Sequence, residues 1–127
     1  SLYDLAYEGS FNKALGRLKA FPAEAKFHTS NGWNILHILA WGDAPLHVVY
    51  EAYEAHPPNL TMKNRWGETP IELAQKKSSK AIVSFLQLKL QEQLIESIEK
   101  TSKIGRRVDK SFEMNKAMFA KVLSIDR

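Results

Sequence analysis

Apolar residues along the chain fall into short blocks at helical spacing, separated by polar stretches that carry Gly, Asn, Asp or Pro. Leu2, Leu5 and Ala6 make a first short helix face that stops near Gly9-Ser10. Phe11, Ala14, Leu15 and Leu18 continue at helical spacing to Phe21-Pro22. Ala23 to Asn31 reads as polar and turn-rich, closing on the turn dipeptide Asn31-Gly32. The plan then repeats. Ile35 to Trp41 is a short helix, Gly42-Asp43 a break, and Pro45 stands where the first turn of a new helix tolerates it. Leu46, Val48, Val49, Ala52 and Tyr53 carry that helix until His56-Pro57-Pro58 ends it. Asn59 to Trp66 reads as a loop, and Thr69-Pro70 starts a further helix with a good N-cap and Pro at its first position.

From Lys80 the pattern changes. Ile82, Leu86, Leu90, Leu94 and Ile98 recur every four residues, with Val83 and Ile95 beside them. The opposite face is assigned Lys89, Gln91, Glu92, Gln93, Glu96 and Glu99, which predicts an unbroken amphipathic helix of roughly twenty residues. Ile104-Gly105-Arg106-Arg107 is expected to stop it, and a last short helix is expected from Asp109 through Phe112, Phe119, Val122 and Leu123. All segments read as helix, turn or loop, so the predicted class is all-α.

The stretch NRWGETPIELA (64–74) restates SNGWNILHILA (30–40) at a spacing of 35, matching Gly32 with Gly67, Leu36 with Ile71 and Leu39 with Ala74. A period in this range marks a repeat architecture. Gly67, Thr69, Pro70, Ile71, Leu73 and Ala74 resemble the core motif of the ankyrin repeat, with Glu72 in place of its His. Gly32, Leu36, His37, Ile38 and Ala40 resemble the same motif with Asn34-Ile35 replacing Thr-Pro, and Leu2, Leu5, Ala6 and Gly9 resemble the tail of a truncated first unit. The likeness spans residues 1–88 in units of about 1–29, 30–63 and 64–88, with 89–127 as a helical extension. It implies a helix-turn-helix solenoid. One helix pair cannot bury its apolar face alone, so the first half of the long helix is expected to cap the stack. The second half and the last helix would project or fold back.

The resemblance also implies where contacts with a partner would lie: on the loop tips and the outer end of each unit's first helix. By position these are Tyr7 and Glu8, then Ser30, Asn31, Trp33, Trp41 and Gly42, then Arg65, Trp66, Glu68, Lys76 and Lys77. All three tryptophans fall in this set, and Trp, Tyr and Arg dominate binding hot spots. Tyr7, Trp33, Trp41 and Trp66 are the expected anchors, with Arg65, Lys76 and Lys77 as charged accessories. The opposing reading packs the indoles inside the protein, although a structural need for Trp33 and Trp66 beside the loop glycines is hard to name. For His37 the resemblance implies a structural role, tying its repeat to the adjacent loop.

Composition narrows the classes further. At 127 residues, 44% apolar and 25% charged, the chain suits one globular domain with or without an appendage. It has no cysteine, which removes disulfides and thiolate metal sites and fits an intracellular setting, cytoplasmic or organellar. No apolar run reaches the length of a membrane span. Ser1 in place of a start methionine suggests a processed or excised chain. Residues 1–75 hold six Lys/Arg against eight Asp/Glu, a net of −2, while 76–127 hold twelve against six, a net of +6.

No catalytic constellation stands out. His28, His37, His47 and His56 are too widely spaced to share a helical turn, so no metal site is expected, and His28, His47 and His56 are expected to face solvent. The six Gly are scattered, with no phosphate-binding loop, and Glu51/Glu54 and Glu92/Glu96 read as solvated helix faces. The expectation is a non-enzymatic module, without cofactor or small-molecule substrate, that binds another protein through a concave repeat surface. Two alternatives stay open. One is a small accessory subunit embedded in a larger assembly. The other uses a basic C-terminal surface (Lys100, Lys103, Arg106, Arg107) against an acidic protein or an anionic lipid, nucleic acid being less expected for want of interleaved aromatics.

Overall fold

The structure is a computed structural model that describes the backbone of residues 1–104 and the side chains of residues 1–100. Among the described residues six α-helices run α1 (Leu2–Tyr7), α2 (Phe11–Ala20), α3 (Ile35–Trp41), α4 (Leu46–Ala55), α5 (Pro70–Lys76) and α6 (Lys80–Ile104). Among the described residues there is no strand. The last helix expected, from Asp109, lies outside the described residues, as do Arg106 and Arg107. The chain divides into two compact units, Ser1–Leu90 and Gln91–Arg127.

In the first unit α1, α3 and α5 lie side by side, and α2 packs beside α4 in a second layer behind them. Leu36, Leu39, Val48, Val49, Leu73, Ile82 and Leu86 are almost wholly buried in the shared core. The three short helices α1, α3 and α5 have six or seven residues each, too few to be stable alone, so packing rather than propensity holds them.

Local chemistry recurs at a step of 33 to 35 residues. Each short helix begins with a reciprocal capping box: Ser1 with Asp4, Asn34 with His37, Thr69 with Glu72. Each ends in a Schellman motif. Ser10, Ala44 and Ser79 donate their N–H groups to Leu5, Leu39 and Ala74, while Gly9, Asp43 and Ser78 donate to Ala6, Ala40 and Gln75. The left-handed residues of these motifs are Gly9, Asp43 (φ 51) and Ser78 (φ 57). The break at Gly42-Asp43 therefore turns on Asp43, and Gly42 keeps an ordinary φ of −86.

Both segments read from sequence as loops contain a 3₁₀ turn opening on proline, Pro22–Lys26 and Pro57–Thr61. Their Ala25 and Leu60 are buried, and buried Asn59 ties the turns together by donating from Nδ2 to the Ala25 carbonyl at 2.7 Å. Asn34 Nδ2 in turn donates to the Asn59 carbonyl at 3.0 Å.

The four-residue spacing along α6 does not make one apolar face. Each step of four advances the side chain by about 40° around the axis, so the stripe winds through about 160° from Ile82 to Ile98. Ile82 and Leu86 are buried, whereas Leu94, Ile95 and Ile98 are 45–57% exposed. Lys89, assigned from sequence to the polar face, instead holds its ammonium 5.6–5.8 Å from the ring centres of Tyr50, Tyr53 and Phe85. Of the histidines expected to face solvent, His28 and His47 are exposed and His56 is half-buried.

Candidate binding surface

The face built by the C-terminal ends of α1 and α3 carries a recess of about 230 Å³, lined by Ala6, Tyr7, Trp33, Ile38, Trp41 and Gly42. Trp33 is placed by the turn that precedes α3. Its N–H donates to Thr29 Oγ1 at 3.1 Å and its carbonyl accepts from the Thr29 N–H at 2.9 Å. The indole is half-buried against the core. It meets Trp41 edge-on at 6.0 Å between ring centres and His37 at 5.9 Å. These contacts are the structural need for an indole that sequence alone did not reveal. Trp41 is 42% exposed and Tyr7 80%. The edge of the Phe11 ring lies where a Gly42 Cβ would make contact at 3.4 Å.

Tyr7, Trp41 and Lys76 are equivalent positions, each the last residue of its helix, as are Glu8, Gly42 and Lys77, each the C-cap. The side-by-side packing of α1, α3 and α5 therefore sets out two rows across this face. Lys77 reaches back along the second row and places Nζ 4.5 Å above the centre of the Trp41 ring. A cation in that position is held by the ring quadrupole, and it covers part of the indole while leaving its own charge in water.

Trp66 and Arg65 lie on a different feature, the loop before α5, and do not line the recess. Buried Asn64 organises that loop: its Oδ1 accepts from the N–H groups of Trp66 (3.0 Å) and Glu68 (2.9 Å), and its Nδ2 donates to Glu68 Oε1 at 3.1 Å. Arg65 donates its N–H to the Asn31 carbonyl at 2.8 Å, which docks this loop on the preceding one. Gly32 lies at that junction with φ +78, and a Cβ there would stand 3.2 Å from Asn64 Cα. Trp66 itself is 61% exposed at the tip. Lys76 pairs with the Glu68 carboxylate, and that cation and then Asn64 hold the carboxyl below its usual range.

His37 serves the scaffold beneath the recess. It is fully buried, its Nδ1 accepts the Asn34 N–H at 3.0 Å, and its Nε2 lies 2.7 Å from the Glu68 carbonyl. An Nδ1 that accepts requires the Nε2–H tautomer, so the neutral ring donates to Glu68 and stitches α3 to the loop before α5. Burial, the largest influence, pushes its pKa down.

A larger hollow of about 310 Å³ lies elsewhere, between Ser1, Leu2, Tyr3, Glu24 and Phe27. There Tyr3 donates its hydroxyl to the Phe27 carbonyl, and burial, with the Glu24 charge behind it, pushes its pKa up to about 12. The recess differs in having two large exposed aromatics on its rim.

Lys100 is exposed on α6, and Lys103 lies on the same helix with its side chain outside the described set. Among the described residues no cluster of three or more His, Asp or Glu could hold a metal ion, and no helix is long and apolar enough to cross a membrane. Sequence reasoning missed the buried Asn34, Asn59 and Asn64. Asn64 opens a turn to Glu68 that matches the Thr29–Trp33 turn 35 residues earlier, a match that the backbone hydrogen bonds reveal. Compared with models of protein families, with curated proteins and with solved structures, the chain matches none.

Proposed function

We propose that this chain is a non-enzymatic, ankyrin-type repeat module that binds another protein through the Tyr7–Trp33–Trp41 recess. The repeat assignment is supported by capping boxes, Schellman motifs and proline-led 3₁₀ turns that recur at 33 to 35 residues. The binding assignment rests on one observation. Aromatic rings from two successive units meet at one recess, with Tyr7 80% and Trp41 42% exposed, while the aliphatic side chains behind them are buried. Rigid aromatics poised at a concavity offer large contact area at low entropic cost, the usual make-up of an interface hot spot.

The test is site-specific photocrosslinking in the source cells with a benzophenone residue at Tyr7 or Trp41, and at exposed Lys19 on α2 as control. A single protein species captured from both recess positions and not from Lys19 supports the reading. Equal capture from all three positions, or none from the recess, refutes it. The exposed Leu94, Ile95 and Ile98 favour a second reading, a standing subunit of a larger assembly. That reading requires the isolated chain to self-associate or to unfold at low micromolar concentration.

A further inference from the structure

We infer that the partner segment is an extended, acidic peptide whose apolar anchor fills the recess and whose carboxylates run over the C-terminal end of α5. The inference rests on the binding reading above and adds the chemistry and direction of the occupant. Charge is graded along the rows that cross this face. At the α1 end the cap is Glu8, exposed and accepting from Ser10 Oγ, with Asp4 one turn before it. The α3 end contributes Gly42 and exposed Asp43. At the α5 end stand Lys76 and Lys77, followed by exposed Lys80 at the start of α6, and Arg65 is exposed on the adjoining loop.

Of these cations, Lys76 is already engaged by Glu68. Lys77 is differently held. Its ammonium rests on the Trp41 ring at the edge of the recess, so the contact positions it without neutralising it. A side chain seated between Tyr7, Trp33 and Trp41 would therefore have a cation on its α5 flank and Glu8 on its α1 flank. An aromatic or branched aliphatic residue satisfies the apolar walls. Asp or Glu in the next few residues toward α5 would meet Lys77 and Lys80, and a basic residue on the other side would meet Glu8. Graded rim charge of this kind acts on orientation and encounter rate more than on total affinity, and it rejects the reversed peptide.

The experiment selects short random peptides displayed on phage against the whole chain, then measures one enriched peptide by fluorescence anisotropy. Four proteins are compared: wild type, Trp41→Ala, Lys77→Glu and the milder Lys77→Gln, each checked by circular dichroism. The expected result is a consensus of one large apolar residue with Asp or Glu to one side. Binding should be lost in Trp41→Ala, fall about tenfold in Lys77→Glu and fall less in Lys77→Gln, with affinity dropping as salt rises. Enriched peptides that need Trp41 but carry no acidic bias, or that ignore Lys77→Glu, overturn this inference and leave the binding reading standing. Peptides indifferent to Trp41→Ala, or no enrichment at all, overturn both.

Discussion

Gly32 and Gly67 have the same backbone angle, φ +78, in equivalent turns 35 residues apart, yet alanine at the two positions should have different costs. At Gly67 nothing lies within 4 Å of an added Cβ. Gly67→Ala therefore incurs the left-handed conformation alone, about 1–2 kcal/mol, offset by about 0.4–1 kcal/mol from the stiffer unfolded chain. The net loss should be about 1 kcal/mol. At Gly32 the new Cβ would sit 3.2 Å from Asn64 Cα and 3.3 Å from the Arg65 nitrogen, both backbone atoms that no rotamer change can move aside. Relief requires the two loops to part, and they are joined there by the 2.8 Å bond from Arg65 N–H to the Asn31 carbonyl. Overpacking of this kind adds about 1–3 kcal/mol, so Gly32→Ala should lose about 2–4 kcal/mol in all. Urea unfolding followed by helical circular dichroism measures both variants, and the melting temperature of the worse one should fall by at least about 8 °C. Equal losses, or a larger loss at Gly67, would show that the two loops are not in contact at Gly32.

Four further outcomes are expected. Burial holds the His37 imidazole below its ordinary pKa, so the unfolded chain takes up the proton first as pH falls. Its share of stability is complete above about pH 6.5 and declines below it, by at most about 1.4 kcal/mol per pH unit, and His37→Gln should flatten that slope in pH-dependent urea melts. At neutral pH, His37→Ala strands the Asn34 N–H and the Glu68 carbonyl, and equilibrium unfolding should show a loss of about 2–3 kcal/mol or more. Ser78 and Asp43 occupy left-handed positions, so Ser78→Gly and Asp43→Gly should each raise stability by about 0.5–1 kcal/mol in the same assay, provided no side-chain contact is lost. Trp33→Ala should destabilise the fold by more than Trp66→Ala, since Trp33 is half-buried against the core and Trp66 stands 61% exposed; a larger loss from Trp66→Ala in thermal melts would contradict the placement of both.

Several parts of the molecule were open to reading from the chain alone because their causes are local. Thr69-Pro70 marks a helix start through a cap and a fixed φ, and it begins α5 with that capping box and that proline. The 35-residue spacing and the helical periodicity around Leu36, Leu39, Leu73 and Ala74 pointed to helices, and among the described residues the structure shows helices without strands and buries these four side chains. The site was less legible. Tyr7, Trp33 and Trp41 were grouped by position with Trp66, Arg65 and Lys76, yet only the first three share a recess.

Helix starts and stops, turn dipeptides, repeat length and the uneven charge are all carried by neighbours in the chain, and they follow from the order of residues alone. Which side chain each residue meets follows instead from how the helices pack. Trp33 packs and Trp66 projects although both sit beside a loop glycine, because only the first faces an adjoining helix. Lys89 lies over aromatic rings because α4 brings Tyr50 and Tyr53 within reach. Lys77 reaches Trp41, and His37 reaches Glu68, between residues more than thirty positions apart in the chain. A period along one helix specifies an angle around its own axis; the partner standing at that angle is set by the neighbouring helices.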